Sequence, residues 1–130
     1  TSLPPLIAES ARASVRYLKF NDHLRLKQME NVYFLKKELS KINAEVLPNK
    51  THIIPLMIRD PNKCNLISNI LLNKYGHYIQ PINYPTVNKG DELLRITPGP
   101  SHTKDMMINL VSSLNEIIRD FKYEEVKYIA

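Results

Sequence analysis

Apolar residues recur at spacings of three and four in four stretches of the sequence, and this periodicity predicts four amphipathic helices. The first stretch covers residues 6–18, and the second begins after Asn21 or Asp22, either of which can cap a helix. The apolar stripes are Ala8, Ala11, Val15 and Leu18 in the first helix, Leu26, Met29, Val32, Leu35, Leu39 and Ile42 in the second, Cys64, Ile67, Ile70 and Leu71 in the third, and Met107, Leu110, Val111, Leu114, Ile117 and Phe121 in the fourth.

Local signals mark the ends of the last two helices. Asp60 can cap the third helix, and Pro61 suits its first turn because the nitrogen there needs no hydrogen bond. Gly76 is a natural stop, since glycine accepts the left-handed conformation that ends many helices. Thr103 can cap the fourth helix, whereas residues 122–130 are weakly patterned.

Short runs rich in apolar residues predict strands at residues 45–48, 52–58, 78–80 and 93–96. Pro55 lies inside the second run and has no N–H, so this strand should lie at an edge of the sheet or carry a local break. The predicted order is two helices followed by β-β-α-β-β-α. This order predicts an α/β protein of the α+β kind, with a small sheet covered by helices.

The chain of 130 residues carries a net charge of +5, which makes a nucleic-acid partner worth considering. Its basic residues are scattered, and the nearest approach to a cluster is Lys36, Lys37 and Lys41, with Glu38 among them. Such a group is more typical of a solvated helix face than of a phosphate-binding track. We therefore expect no nucleic-acid partner, and we keep a stand-alone basic module for nucleic acid or a regulatory ligand as an alternative.

Few residues suit metal or covalent chemistry. The histidines His23, His52, His77 and His102 have no metal-ligand spacing, so we assign no metal. The single cysteine, Cys64, excludes an internal disulfide and suits a reducing compartment. No apolar run is long enough to span a membrane. The first residues show neither an initiator methionine nor a signal-peptide pattern, so we expect a fragment of a longer chain.

A long loop at residues 80–92 separates the last two predicted strands. Pro81 and Pro85 restrict its entry, because each proline fixes its own φ and favours an extended residue before it. Gly90 can take a positive φ and let the chain turn back near the exit. Such a loop can hold a closed shape or hinge as a unit.

Arg95 follows this loop between two apolar residues, Leu94 and Ile96. A guanidinium in an apolar frame needs an anionic partner, because an unpaired charge there is costly. One reading is an internal ion pair with an Asp or Glu. The other is a site for a carboxylate ligand, which the planar guanidinium can bind with two parallel hydrogen bonds.

Two runs in and after this loop carry a resemblance to a known family. Residues 80–87 read Gln-Pro-Ile-Asn-Tyr-Pro-Thr-Val, and Gly90 and then Leu-Arg-Ile-Thr-Pro at residues 94–98 follow. The series resembles the C-terminal signature of the 5-aminolevulinate synthases, a branch of the pyridoxal-phosphate-dependent α-oxoamine synthases. The sequence departs from the family at residues 88–89, Asn-Lys in place of Pro and a basic residue, and at Gly99, where Thr is commoner.

The resemblance covers nearly the whole chain, since residues 1–5, 52–55 and 98–103 also fall in family order. It implies the C-terminal domain of a fold-type I pyridoxal-phosphate-dependent transferase. Residues 1–44 would be helices that link to a large cofactor domain outside this chain, and residues 45–130 would be the small domain. It also implies that the full enzyme, a homodimer, condenses glycine with succinyl-CoA to 5-aminolevulinate, CoA and CO2 in the first step of haem biosynthesis.

The same resemblance implies the site residues. Arg95 would bind the carboxylate of glycine, and Thr86 would contact the acyl substrate. Thr1 would reach the pyridoxal phosphate of the neighbouring subunit, with Ser2 assigned to cofactor binding beside it. The family's Schiff-base lysine lies upstream of Thr1, so we assign no catalytic residue to this chain and expect it to be inactive alone. Without the family, Thr1 reads as a loop or cap hydroxyl and Thr86 as a turn hydroxyl.

Location and substrate follow only from the resemblance. It implies a mitochondrial enzyme in a eukaryote and a cytoplasmic one otherwise. A sister acyl-CoA-dependent synthase, with another amino acid or acyl group, is an alternative. A longer or apolar acyl group would need a different loop at residues 82–84, so competition between acyl-CoA substrates on the full enzyme would separate the two.

Overall fold

Four helices and three short strands make up the part of the chain that the computed structural model describes, residues 2–127, with side chains through residue 121. The helices are α1 (Pro5–Lys19), α2 (Asp22–Ser40), α3 (Pro61–Tyr75) and α4 (Lys104–Lys127), and the strands are β1 (Ile54–Met57), β2 (Gln80–Ile82) and β3 (Leu93–Ile96). The helices and the sheet form the predicted α/β architecture. No helix within residues 2–127 is long and apolar enough to cross a membrane.

The three strands form an antiparallel sheet in the order β1-β3-β2, so β3 lies in the centre. Arg95 on β3 is the register partner of both Pro55 on β1 and Gln80 on β2. The edge position predicted for Pro55 is confirmed. Its carbonyl accepts a hydrogen bond from the Leu47 N–H at 3.1 Å, so its nitrogen faces the outer edge, and the missing N–H removes no bond to β3.

Two of the predicted strands differ from the structure. Residues 45–48 form no strand, because only Val46 makes an isolated bridge, to Leu56 on β1. The predicted strand at 78–80 begins only at Gln80, since the carbonyl of Ile79 accepts a hydrogen bond from the Ser68 hydroxyl of α3 at 2.6 Å instead of a strand partner. The observed order is therefore α-α-β-α-β-β-α, with one strand fewer than predicted.

The core lies between one face of the sheet and helices α2, α3 and α4. The stripes of these helices are confirmed for most positions, but Leu26 on α2 is 66% exposed. The buried apolar residues are Val32, Leu35 and Leu39 on α2, Ile54, Leu56 and Met57 on β1, Cys64, Ile67 and Leu71 on α3, Ile79, Leu94 and Ile96 on and before the later strands, and Met107, Leu110, Val111, Leu114 and Ile117 on α4.

Helix α1 buries none of its residues in this chain, although it is strongly amphipathic. Val15 and Leu18 of its apolar stripe are 67% and 45% exposed. Helix α2, by contrast, places three fully buried side chains in the same core as the sheet. The division into linking helices at residues 1–44 and a small domain at 45–130 stays a prediction.

Most of the predicted helix ends are confirmed. The Asp60 carboxylate accepts hydrogen bonds from two backbone N–H groups at 2.8 and 2.9 Å, and Gly76 ends α3 with φ of 72°. The Thr103 hydroxyl accepts a backbone N–H of α4 at 3.3 Å. The Asn21 side chain does not cap α2, because its amide donates to the Tyr17 carbonyl at the end of α1 instead.

Candidate functional site

A cavity of about 650 Å³ lies between the segment that precedes β2, the end of β3 and the first turns of α4. Apolar side chains of α2 and α4 form one part of its lining, and polar groups of the sheet and the following turn form another. The lining includes Gln80, Arg95, Thr97, Pro98 and His102, with Leu35 and Met107 on the apolar side. A cavity with an apolar wall and a few polar groups on another side suits a small ligand.

Arg95 lines this cavity from the face of the sheet that points away from the core. Its neighbours Leu94 and Ile96 are 0% and 3% exposed, so they face the core, and Arg95 faces the opposite side of the sheet, exposed. No ion pair or hydrogen bond joins Arg95 to any side chain described through residue 121. The internal ion pair, the first of the two sequence readings, is therefore not formed within that part of the chain.

The loop is shorter than predicted, because residues 80–82 belong to β2. Thr86 lies in the turn that follows β2, where its N–H donates to the Asn83 carbonyl at 3.0 Å and its side chain is exposed. Thr86 is not among the residues that line the cavity. The Gln80 end of β2 pairs with Arg95, whereas Thr86 follows the opposite end, so the structure does not bring these two predicted residues to one wall.

Glu92 anchors the exit of the loop, a role that the sequence analysis missed. Its side chain is 2% exposed and accepts the N–H of Gly90, whose φ is 91°, at 3.0 Å. Its carbonyl accepts the N–H groups of Ile58 and Arg59, both at 2.9 Å. The positive φ of Gly90 was predictable from residue type. The burial of Glu92 was not, because a carboxylate after a loop ordinarily points to solvent.

The predicted cofactor residues gain little support from the structure. Thr1 lies outside the described residues, and Ser2 is exposed and does not line the cavity. No lysine is found among the residues that line the cavity in the described part of the chain. A pyridoxal phosphate needs a lysine amine at its ring, so these residues do not by themselves fit that cofactor.

The histidines and the cysteine do not form a second reactive site. Within residues 2–127, no three His, Cys, Asp or Glu residues lie close enough together to hold a metal ion. His77 and His102 line the cavity, and the Nδ1 atom of His102 accepts the Gly99 N–H at 2.8 Å. Cys64 is fully buried, its thiol donates to the Leu93 carbonyl at 3.1 Å, and burial raises the pKa of that thiol. A protonated, packed thiol is a poor nucleophile.

The basic residues of α2 are engaged in local contacts. Lys41 pairs with Glu38 at 2.6 Å, and the Lys36 ammonium donates to the Asn49 carbonyl at 2.9 Å. Lys37 is exposed. Contacts of this kind are typical of a solvated helix face, which weakens the reading of this cluster as a phosphate track.

Curated relatives resemble the chain over most of its length. A 5-aminolevulinate synthase of Rickettsia typhi is 45% identical over 124 residues, which cover 95% of this chain and 30% of that protein. The mitochondrial 5-aminolevulinate synthase of Saccharomyces cerevisiae is 35% identical over 127 residues, 98% of this chain and 23% of the relative. The resemblance predicted from the loop signature is thus confirmed, and the chain spans less than a third of these relatives.

The fold and the family agree with this resemblance. A serine palmitoyltransferase variant from S. paucimobilis, solved with pyridoxal phosphate and myriocin, matches with a TM-score of 0.82 at 22% identity, over 92% of this chain and 30% of that structure. The predicted fold, that of a pyridoxal-phosphate-dependent transferase, is confirmed. The sequence pattern of the family described as aminotransferase class I and II matches residues 1–114. The chain therefore belongs to the class I and II aminotransferase family.

Proposed function

We propose that this chain is the portion of a 5-aminolevulinate synthase that binds the carboxylate of the amino-acid substrate. The full enzyme would condense glycine with succinyl-CoA to 5-aminolevulinate, CoA and CO2, the first step of haem biosynthesis. The observation that carries the proposal is Arg95, a cation at a 650 Å³ cavity with no anionic partner among the side chains described through residue 121. Glycine binding by the full-length enzyme with Arg95→Lys tests it.

The position of Arg95 suits a ligand contact. It lies on the central strand, whose backbone is paired on both sides, so its Cα is held rigidly. The Gln80 side chain opposite it is already engaged, since its carbonyl oxygen accepts the Tyr78 hydroxyl at 2.6 Å and its amide donates to the Pro81 carbonyl at 3.2 Å. The guanidinium of Arg95 is therefore available to donate two parallel hydrogen bonds to a carboxylate in the cavity.

The acyl substrate and the cofactor are assigned by similarity to the relatives. Thr86, exposed at the turn after β2, would contact succinyl-CoA. Pyridoxal phosphate, when bound, would supply the electron sink for breaking a bond to the glycine α-carbon. It would be held mainly by chain outside these residues. Thr1 would reach the cofactor of the neighbouring subunit in a homodimer, and Ser2 would contribute to cofactor binding beside it. The enzyme would be mitochondrial in a eukaryote and cytoplasmic otherwise.

The first prediction concerns the chain on its own. Incubated with pyridoxal phosphate, glycine and succinyl-CoA, the 130-residue chain should form no 5-aminolevulinate, because no described residue of the cavity supplies a lysine amine. Borohydride reduction followed by peptide mapping should find no single labelled lysine. A full-length synthase is the positive control. Specific labelling at one lysine of this chain would contradict the prediction.

The second prediction concerns the loop exit. Gly90 has φ of 91° and no atom within 4 Å of the position of a Cβ, so a valine there is strained by its backbone and not by a clash. In the full-length enzyme, Gly90→Val should change turnover and the apparent affinity for succinyl-CoA together, if the loop moves over the substrates. Steady-state kinetics measure both.

Asp91→Ala is the matched control, because Asp91 is the exposed neighbour and its replacement leaves the glycine in place. It should leave both kinetic constants near their original values. Unchanged kinetics in a folded Gly90→Val enzyme would remove the hinge role from this loop.

A further inference from the structure

We propose that Asn31 is a positioning residue for the substrate-carboxylate site, because its side chain fixes the turn that follows the Arg95 strand. This turn, residues 97–102, is called the β3–α4 turn below. Thr97, Pro98 and His102 of the turn line the same cavity as Arg95. The inference rests on the proposed role of Arg95 and extends it to a residue of α2 that does not touch the ligand.

The β3–α4 turn has little regular structure to hold it. Strand pairing ends at Ile96, and Pro98 and Pro100 have no N–H to donate. Within the turn, the Gly99 N–H donates to His102 Nδ1 at 2.8 Å, and the His102 N–H donates to the Gly99 carbonyl at 3.3 Å. These bonds close the turn on itself but do not attach it to the rest of the domain.

Helix α2 supplies the attachment. The Gln28 amide donates to the Pro98 carbonyl at 3.1 Å. The Asn31 amide nitrogen donates to two carbonyls of the turn, that of Gly99 at 2.9 Å and that of His102 at 3.0 Å. Both N–H groups of Asn31 are therefore used, and the side chain is 3% exposed. Gln28 and Asn31 lie three residues apart, so they share one face of α2.

The attachment reaches the polar lining of the cavity. Because Nδ1 of His102 accepts a hydrogen bond, the proton of the neutral ring is assigned to Nε2, which leaves that N–H as a donor. The Asn31 amide donates to the carbonyl of His102, and the Gln28 amide donates to the carbonyl of Pro98, three residues after Arg95. Loss of these bonds lets the cavity wall shift relative to the guanidinium. A displacement of this kind weakens substrate positioning without any direct contact being removed.

The test is Asn31→Leu in the full-length holoenzyme. Leucine is close to asparagine in size but has no N–H donor, so both hydrogen bonds are lost and no charge is added near the cavity. The dissociation constant for glycine, measured from the change in cofactor absorbance, should rise about tenfold, as expected for two neutral hydrogen bonds. Cofactor content should stay unchanged.

Lys36→Met is the matched control. Lys36 lies on the same helix and also donates to a loop carbonyl, that of Asn49 at 2.9 Å, but neither residue lines the cavity. Its replacement should lower the melting temperature and leave the dissociation constant for glycine within about twofold, since hydrogen bonds far from a ligand act on stability alone. An equal loss of glycine affinity in both variants would overturn the positioning role.

Gln28→Ala keeps the proposal testable if Asn31→Leu does not fold. It removes one bond to the turn, so the dissociation constant should rise about two- to fivefold in the same direction. Unchanged glycine binding in every folded variant of Asn31 and Gln28, with a clear loss in Arg95→Lys, would overturn the positioning role and leave the proposed function standing. Unchanged binding in Arg95→Lys itself would overturn both.

Discussion

Arg95→Lys is expected to raise the dissociation constant for glycine by roughly tenfold to a hundredfold in the full-length enzyme. Lysine keeps the positive charge, but it loses the planar fork and has a shorter reach. A charge-assisted hydrogen bond is worth about 1.5–3 kcal/mol, and each 1.4 kcal/mol is a factor of ten in affinity. Turnover should fall as well, because the proposed carboxylate contact would orient the amino-acid substrate for the bond to be broken. Cofactor content should be nearly unchanged.

Glycine titration followed by cofactor absorbance, together with the melting temperature, gives the measurement. Arg59→Lys is the matched control, because Arg59 is an exposed arginine that pairs with Glu45 and does not line the cavity. It should leave glycine binding intact. A purely structural role for Arg95 gives the opposite pattern, a lower melting temperature with normal glycine affinity in the folded fraction. That result would end the assignment of Arg95 to the substrate.

Leu39→Ala is expected to lower the free energy of unfolding of the chain by about 2–5 kcal/mol, the usual cost of truncating a fully buried leucine. Leu39 is 0% exposed and belongs to the core formed by the sheet and helices α2, α3 and α4. The loss combines the transfer of the removed methyl groups with the cavity that they leave. Urea denaturation followed by circular dichroism measures the change.

Leu26→Ala supplies the comparison on the same helix. Leu26 belongs to the same apolar stripe in the sequence, but it is 66% exposed, so its truncation should change the free energy of unfolding by less than about 0.5 kcal/mol. Equal effects of the two substitutions would mean that α2 is not anchored in this core. They would favour the predicted division, in which α2 belongs to the linking helices at residues 1–44.

Residue type alone sufficed for the local features of the fold. The cap at Asp60, the stop at Gly76 and the turn at Gly90 depend on side chains and φ angles within a few residues, and all three are present in the structure. The signature at residues 80–98 likewise carried the family resemblance, because it is a set of residue types in a fixed order along the chain. These parts could be predicted because their causes lie close together in the chain.

Pairing between distant residues could not be predicted in the same way. Four strands were predicted and three formed, because residues 45–48 make only a bridge at Val46. The strand predicted at residues 78–80 begins only at Gln80, because the Ile79 carbonyl accepts a hydrogen bond from a helix side chain. Burial also separated Leu39 from Leu26, two leucines of one stripe, since only Leu39 belongs to the buried core. The spacing of apolar residues shows which face of a helix is apolar. It does not show how much of the length of that face is packed against other elements.

The sequence by itself determined that Arg95 emerges between two apolar residues after a proline-rich loop, and it left two readings of that arginine open. Only the tertiary structure decided that no described carboxylate pairs with Arg95 and that the residue faces a cavity. The same holds for Asn31, which lies about seventy residues before the turn that it binds. Such contacts depend on the packing of α2 against α4, and no local pattern of residues encodes a hydrogen bond over that separation.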